Sequence, residues 1–211
     1  MGLTPMPAAV PALASLRHWV FDLDGTLTEA VHDFALIRRE LGIPSDADIL
    51  AHLAMLPPDE ARARHDWLMR HEQSLAEAAT AAAGAVALVR ALHARGCRLG
   101  ILTRNARTLA GVTLAAIGLG DAFDDADIIG RDDATPKPAP DGLLYFANRW
   151  NVSPAQMVMV GDYRFDIECG RAAGTHTVLV NVREEELPVD ATWRLADCAA
   201  ILATLGEDAH A

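Results

Sequence analysis

Three apolar runs in this chain end on groups that do chemistry. Trp19, Val20 and Phe21 lead into Asp22, Asp24, Gly25 and Thr26. The run at 98–102 leads into Thr103, Arg104 and Asn105, and the run at 157–160 into Gly161, Asp162 and, one helical turn on, Asp166. A fourth segment, the proline-stiffened TPKPAPD, carries Lys137. Residues i and i+2 of an extended segment share a face, so Asp22 and Asp24 can reach the same atom. Four carboxylates brought together repel one another, and desolvation adds to the cost. A divalent cation relieves both, and all-oxygen donors from Asp favour a hard ion, Mg²⁺ first. Lys137, Thr103, Asn105 and the backbone amides after Asp22 suit a bound phosphate group. A metal-bound carboxylate beside a phosphate site points to phosphoryl transfer. Either Asp22 attacks phosphorus or the metal activates a water.

Composition singles out one of these residues independently. The chain has 17 arginines and a single lysine, Lys137. Where arginine has replaced lysine almost everywhere, a surviving lysine marks a place where the planar guanidinium does not fit. The remaining composition excludes whole classes of function. A net charge of −11 argues against nucleic acid as partner, because phosphate backbones require a basic face. The longest apolar runs fall far short of the ~20 residues of a membrane span. Of the 211 residues 40 are alanine and only 5% are aromatic, so much of the 51% apolar share is small-residue helix packing. Cys97, Cys169 and Cys198 are odd in number and widely spaced, which fits a reducing, cytoplasmic setting and no zinc site. The first 17 residues lack a basic leader and read as a short arm, not a signal peptide.

The elements that must position these groups follow from periodicity and punctuation. Residues 17–23 read as a strand. Helices are expected at 29–42 (stopped by Gly42 and Pro44), at 45–56 (stopped by Pro57-Pro58) and from an Asp59 cap to about residue 80. Trp67, His71 and Leu75 fall on one face of the third helix. Another helix, striped by Val86, Val89 and Leu92, ends at Gly96. Strand and helix then alternate: strands at 98–102, 126–130, 157–160 and 175–180, helices at 105–117, 141–150, 165–173 and 197–205. That rhythm implies βαβ units and a parallel sheet. The expected fold is therefore a doubly wound α/β core, residues 1–27 and 84–211, with a small all-α domain, residues 28–83, inserted after the first strand. In such sheets ligands bind beyond the carboxyl ends of the strands, which is where all four chemical segments lie.

Taken together, FDLDGT at 21–26, ILTRN at 101–105, KPAPD at 137–141 and GDYRFD at 161–166 resemble the four ordered motifs of the haloacid dehalogenase superfamily in its phosphatase form. Each motif alone also fits a turn or a helix cap; the coincidence of four in order does not. The resemblance covers about residues 17–180. It implies that Asp22 is a nucleophile forming an aspartyl-phosphate, and that Asp24 is the acid for the leaving alcohol and then the base for water. It further implies that the Asp22 side chain, the Asp24 carbonyl and Asp162 hold Mg²⁺ with Asp166 in support, and that Thr103 and Lys137 grip the phosphoryl group. Asn105 and Arg104 join the expected phosphate-binding set; Arg104 either meets an anion or pairs with a nearby acid.

Within the superfamily, Asp24 and Asp162 count against a metal-free dehalogenase. The absence of lysine from residues 28–96 excludes a Schiff-base phosphonatase. The position of the helical insert resembles the cap of phosphoglycolate phosphatase-like members, although it is shorter than usual. His32, Asp33, Arg38 and Arg39 open that cap; Arg38, Arg39 and Glu40 also read as a solvated face. His52, His65 and His71 read as structural or surface residues, and Arg164 and Glu168 as helix-face residues. The expected function is a Mg²⁺-dependent phosphatase of a small phosphorylated metabolite. A hexose-phosphate mutase and a non-catalytic phosphometabolite binder are the rival readings.

Overall fold

The computed structural model describes residues 10–182 and 189–207; of the 17-residue arm expected at the N-terminus the first nine lie outside them, and Leu13, Ala14 and Leu16 pack into the core around a 3₁₀ turn at Leu13–Ser15. The element order is β1 (His18–Phe21), α1 (Phe34–Leu41), α2 (Ile49–Ala54), α3 (Pro58–Glu77), α4 (Ala85–Ala94), β2 (Arg98–Leu102), α5 (Arg107–Ala116) and β3 (Ile128–Ile129). It continues α6 (Asp141–Trp150), β4 (Met157–Gly161), α7 (Arg164–Ala173), β5 (His176–Leu179), β6 (Trp193–Arg194) and α8 (Cys198–Glu207).

The strands form one sheet in the order β3-β2-β1-β4-β5-β6, every neighbour parallel. Both faces are covered by helices, which explains why the strands read as continuous apolar runs. Alternation along β1 sends Trp19 and Phe21 into a cluster with Leu88 and Leu92 of α4, Leu114 of α5 and Ile201 of α8. It sends Val20 to the other face, against Leu143, Phe146 and Trp150 of α6 and Cys169 of α7. Gly100 has no side chain for a packing reason: a Cβ there would lie 2.8 Å from the Phe146 ring. The chain leaves β1 for β2 on one side and reaches β4 on the other. The strand order therefore reverses between β1 and β4, the place where open α/β sheets bind ligands.

Between β1 and α4 the three short-to-long helices pack on one another. Ile37 and Leu41 of α1, Leu53 of α2 and Leu68 of α3 form their own apolar cluster with Ile43. The lower part of α3 docks on the sheet-bearing part of the molecule, where Ala76 meets Ala106 and Leu109 beside Met69. Both connections cross together. Thr28 bridges Ala81 in antiparallel fashion, the Glu29 amide donates to the Thr80 carbonyl at 3.0 Å, and the Ala82 amide to the Leu27 carbonyl at 2.9 Å.

Local chemistry moved several expected boundaries. α1 starts at Phe34, not 29, because the Asp33 carboxylate caps it by accepting from the Leu36 amide at 2.9 Å. α3 starts at Pro58, where a missing N–H costs nothing, so Asp59 sits in the first turn and is not its cap. α5 starts at Arg107 because the Thr103 hydroxyl and the Asn105 side-chain oxygen accept from the Asn105 and Ala106 amides, holding a turn before the helix. The strand expected at 126–130 shortens to two residues behind a 3₁₀ turn at Asp125–Asp127. β6 was not foreseen. Among the described residues no helix is long and apolar enough to cross a membrane.

Candidate active site

The site is built where β1 and β4 lie side by side. Asp22 follows the last residue of β1, and its amide continues the ladder by donating to the Val160 carbonyl of β4 at 2.8 Å. Asp162 follows β4. Asp166 sits in the first turn of α7, where one of its oxygens accepts from the Tyr163 amide at 3.0 Å and holds the helix entrance. Asp22, Asp162 and Asp166 each present a carboxylate oxygen within 4.8 Å of the others. The Asp24 carboxylate stands outside that trio.

Two glycines make this approach possible. Gly25 has φ +89°, and a Cβ on it would collide with the Asp162 carboxylate. A Cβ on Gly161 would collide with Asp166. The tight loop after β1 is fastened from behind. The Thr26 hydroxyl donates to Asp162 at 2.8 Å, and the Asn181 side-chain amide donates to the carbonyls of Gly25 at 2.8 Å and Thr26 at 3.2 Å.

Lys137 lies at the centre. Only 3% of its surface is exposed, and its Nζ donates to Asp22 at 2.5 Å and to Asp166 at 2.6 Å. The Lys137–Pro138 peptide is cis. Burial opposes the ammonium charge, but Asp166 and Asp22 outweigh it and hold the amine above its usual value. One lysine does not neutralise the carboxylates. Burial, then repulsion from Asp22 and Asp166, pushes Asp162 up to about 8. Burial, partly offset by Lys137, pushes Asp166 up to about 6. Asp22 is also raised, chiefly by burial, against the pull of Lys137.

Asp24 is raised mainly by burial, and His32 and a hydrogen bond from Asn105 work the other way. Glu72, reaching in from α3, adds to the rise. Thr103 is buried at the end of β2, and its hydroxyl accepts from the Asn105 amide while keeping its own proton to donate. Thus Asp22, Asp162, Asp166 and Lys137 are in one cluster, and Asn105 joins Asp24. Arg104 is held by an acid: its guanidinium donates to Asp48 at 2.6 Å and to the Lys137 carbonyl at 2.9 Å. Of the groups that open the insert, Asp33 caps α1, Arg38 donates to the Ala47 carbonyl, and Arg39 pairs with Glu40 at the surface. His71 stacks on Trp67 within α3.

Sequence reasoning missed four residues that shape the site: Asp48, Glu72, Arg131 and Asn181. Asn181 carries a legible signal, a polar residue just past an apolar strand. Glu72 and Arg131, 59 positions apart, form a buried two-pronged ion pair at 2.8 and 3.0 Å that joins α3 to the loop after β3.

The oxygen-only donor trio, with acids raised first by burial and then by mutual repulsion around a single buried ammonium, fits a hard divalent cation. A family model, haloacid dehalogenase-like hydrolase, matches residues 16–174, which span all of these residues. The chain belongs to that family. A haloacid dehalogenase-like hydrolase domain-containing protein of Arabidopsis thaliana is 32% identical over 182 residues, covering 81% of this chain and 73% of its own. A phosphoglycolate phosphatase of Escherichia coli O157:H7 is 33% identical over 159 residues, covering 74% of this chain and 60% of its own. A hydrolase from Pseudomonas syringae shares the fold, with a TM-score of 0.73 over 91% of this chain and 98% of that one, at 23% identity. The family's α/β core is the parallel sheet and helices described above.

Proposed function

We propose that the protein is a Mg²⁺-dependent phosphatase of small phosphomonoesters, working through a covalent aspartyl-phosphate. The observation that carries this reading is Lys137 seated between Asp22 and Asp166, with Asp162 completing a trio of oxygen donors. The relation to a phosphoglycolate phosphatase supports a small carboxylated alcohol as leaving group.

In this reading the Asp22 carboxylate, Asp162 and the Asp24 carbonyl hold the metal, with Asp166 in support. When bound, Mg²⁺ supplies charge neutralisation for the transferring phosphoryl group. Asp22 is the nucleophile: its Oδ–P bond forms as the ester P–O bond breaks, and the leaving oxygen takes the proton of Asp24. Burial keeps that proton on Asp24 to higher pH than usual, as an acid requires. Asp24 then accepts a proton from water as the water attacks phosphorus and frees Asp22. Lys137 offsets the charge on Asp22 and, with the Thr103 hydroxyl and Asn105, holds phosphoryl oxygens. Residues 28–83 act as the cap and exclude bulk water. The buried, unpaired thiols of Cys97, Cys169 and Cys198 suit a reducing cytoplasm.

The test is phosphate release from p-nitrophenyl phosphate with Mg²⁺ and then with chelator, for the wild type beside Asp22→Asn. Release that needs Mg²⁺ and disappears in the folded variant supports the reading and opens a metabolite panel led by phosphoglycolate. Release that persists in Asp22→Asn overturns the covalent mechanism.

A further inference from the structure

Arg104 touches three parts of the molecule at once. Its Nη2 donates to Asp48 of the insert at 2.6 Å, and its Nη1 to the carbonyl of Lys137 at 2.9 Å. Its Cζ lies 4.8 Å from the centre of the Phe165 ring, next to Asp166 in the chain. Asp48 is no loose surface acid: its other oxygen accepts from the Ala51 amide at 2.9 Å and so starts α2. That amide and Arg104 hold its carboxyl below the usual range in spite of burial. One side chain therefore ties the first turn of α2 to two of the segments that build the carboxylate cluster.

We infer that Arg104 is a positioning residue, which couples the seating of the insert helix α2 to the placement of the Lys137 segment. The inference rests on the phosphatase reading for its kinetic consequence only. Among the described residues the insert is joined to the sheet-bearing part by two cross-domain ion pairs of different character. Glu72–Arg131 is enclosed, with side chains 10% and 6% exposed; Asp48–Arg104 is open, at 36% and 25%. Breaking an enclosed pair strands a charge, whereas water takes over the partners of an open one. Asp48–Arg104 is thus the contact that can release and re-form while α3 stays docked. Lysine does not substitute for Arg104, because a single ammonium cannot serve a carboxylate, a carbonyl and a ring face together.

A double-substitution cycle tests this. Asp48→Asn keeps an oxygen to cap α2 but removes the charge; Arg104→Ala removes all three contacts. With p-nitrophenyl phosphate and Mg²⁺, Asp48→Asn is expected to raise KM about fivefold with kcat little changed. Arg104→Ala is expected to raise KM equally and also to lower kcat about tenfold. The double variant should match Arg104→Ala. Amide hydrogen exchange across α2 supplies the readout that needs no turnover: it should quicken in each single variant and no further in the double. If the wild type hydrolyses nothing, the phosphatase reading fails and the exchange cycle alone decides the coupling. Independent, additive effects of the two substitutions on exchange, or a wild-type kcat in Arg104→Ala, overturn the inference.

Discussion

The carboxyl end of the sheet and the helical insert handle charge in opposite ways. The acids of the insert that anchor its helices are each paired with a single arginine: Glu60 with Arg64, Asp48 with Arg104, Glu72 with Arg131. At the sheet, two buried carboxylates, Asp22 and Asp166, share one ammonium with a half-buried third, Asp162, beside them, and Asp162 and Asp166 are pushed far above their ordinary range. A fold that gives each acid at a helix junction its own arginine, and gathers a buried carboxylate cluster around one ammonium at one place, has set that place aside for a ligand of opposite sign. The contrast sorts the effects of substitution. Changes at the sheet end should cost activity first, and changes in the insert should cost stability or substrate affinity first.

The sharpest break is Asp22→Asn. Removing the nucleophile should lower kcat by about four orders of magnitude or more while far-ultraviolet circular dichroism stays unchanged. The counterpart in the insert is Glu72→Gln, which leaves Arg131 enclosed without its counter-charge. Denaturant titration should show a loss of about 3–5 kcal/mol. A loss below about 1 kcal/mol would mean that apolar packing of Ala76 on Leu109 holds α3 by itself.

Lys137→Arg keeps the charge but not the shape, and kcat/KM should fall roughly a hundredfold. A near-normal rate would mean that the lone lysine is there by accident of composition.

Proton linkage gives a subtler test. Asp162 and Asp166 have folded-state values above those of the unfolded chain, so the metal-free fold binds more protons than the unfolded chain between about pH 4 and pH 8. The stability they contribute is complete below the unfolded value near pH 4 and is lost as pH rises through about 6 and then about 8. Without metal, Tm should fall across that window. Mg²⁺ competes with those protons, so the rise in Tm on adding it should grow from about pH 5 to about pH 9. A Tm increment independent of pH would separate the metal from this trio. The smallest effect belongs to the surface of α1: with Arg39 and Glu40 both well exposed, Arg39→Ala should shift stability by less than about 0.5 kcal/mol.

The two regions also differ in how much of them the sequence makes legible. In the sheet, apolar runs, flanking glycines and polar strand ends are local signals, so α6 is foreseen to the residue and Asp22, Asp162, Asp166 and Lys137 are found together. The two-residue β6 escapes because Trp193 and Arg194 show no alternation to detect. In the insert, helices are visible but their partners are not. Asp48 falls inside the helix expected at 45–56, yet it caps the shorter α2, and its second oxygen serves an arginine 56 positions away. Glu72 reads as one more polar residue on a long helix, although it is buried. Periodicity tells which face is apolar and says nothing of which distant cation a buried acid will meet.

The paired crossing at Thr28 and Ala81 has one more consequence. The chain leaves the sheet-bearing part at Leu27 and returns at Ala82, and the backbones of these two residues are already hydrogen-bonded at 2.9 Å. The ends of the insert therefore lie about as close as the two sides of a hairpin. A two- or three-residue turn has the reach to join them. Seen this way, replacing the insert by such a turn is expected to leave every strand of the sheet in place.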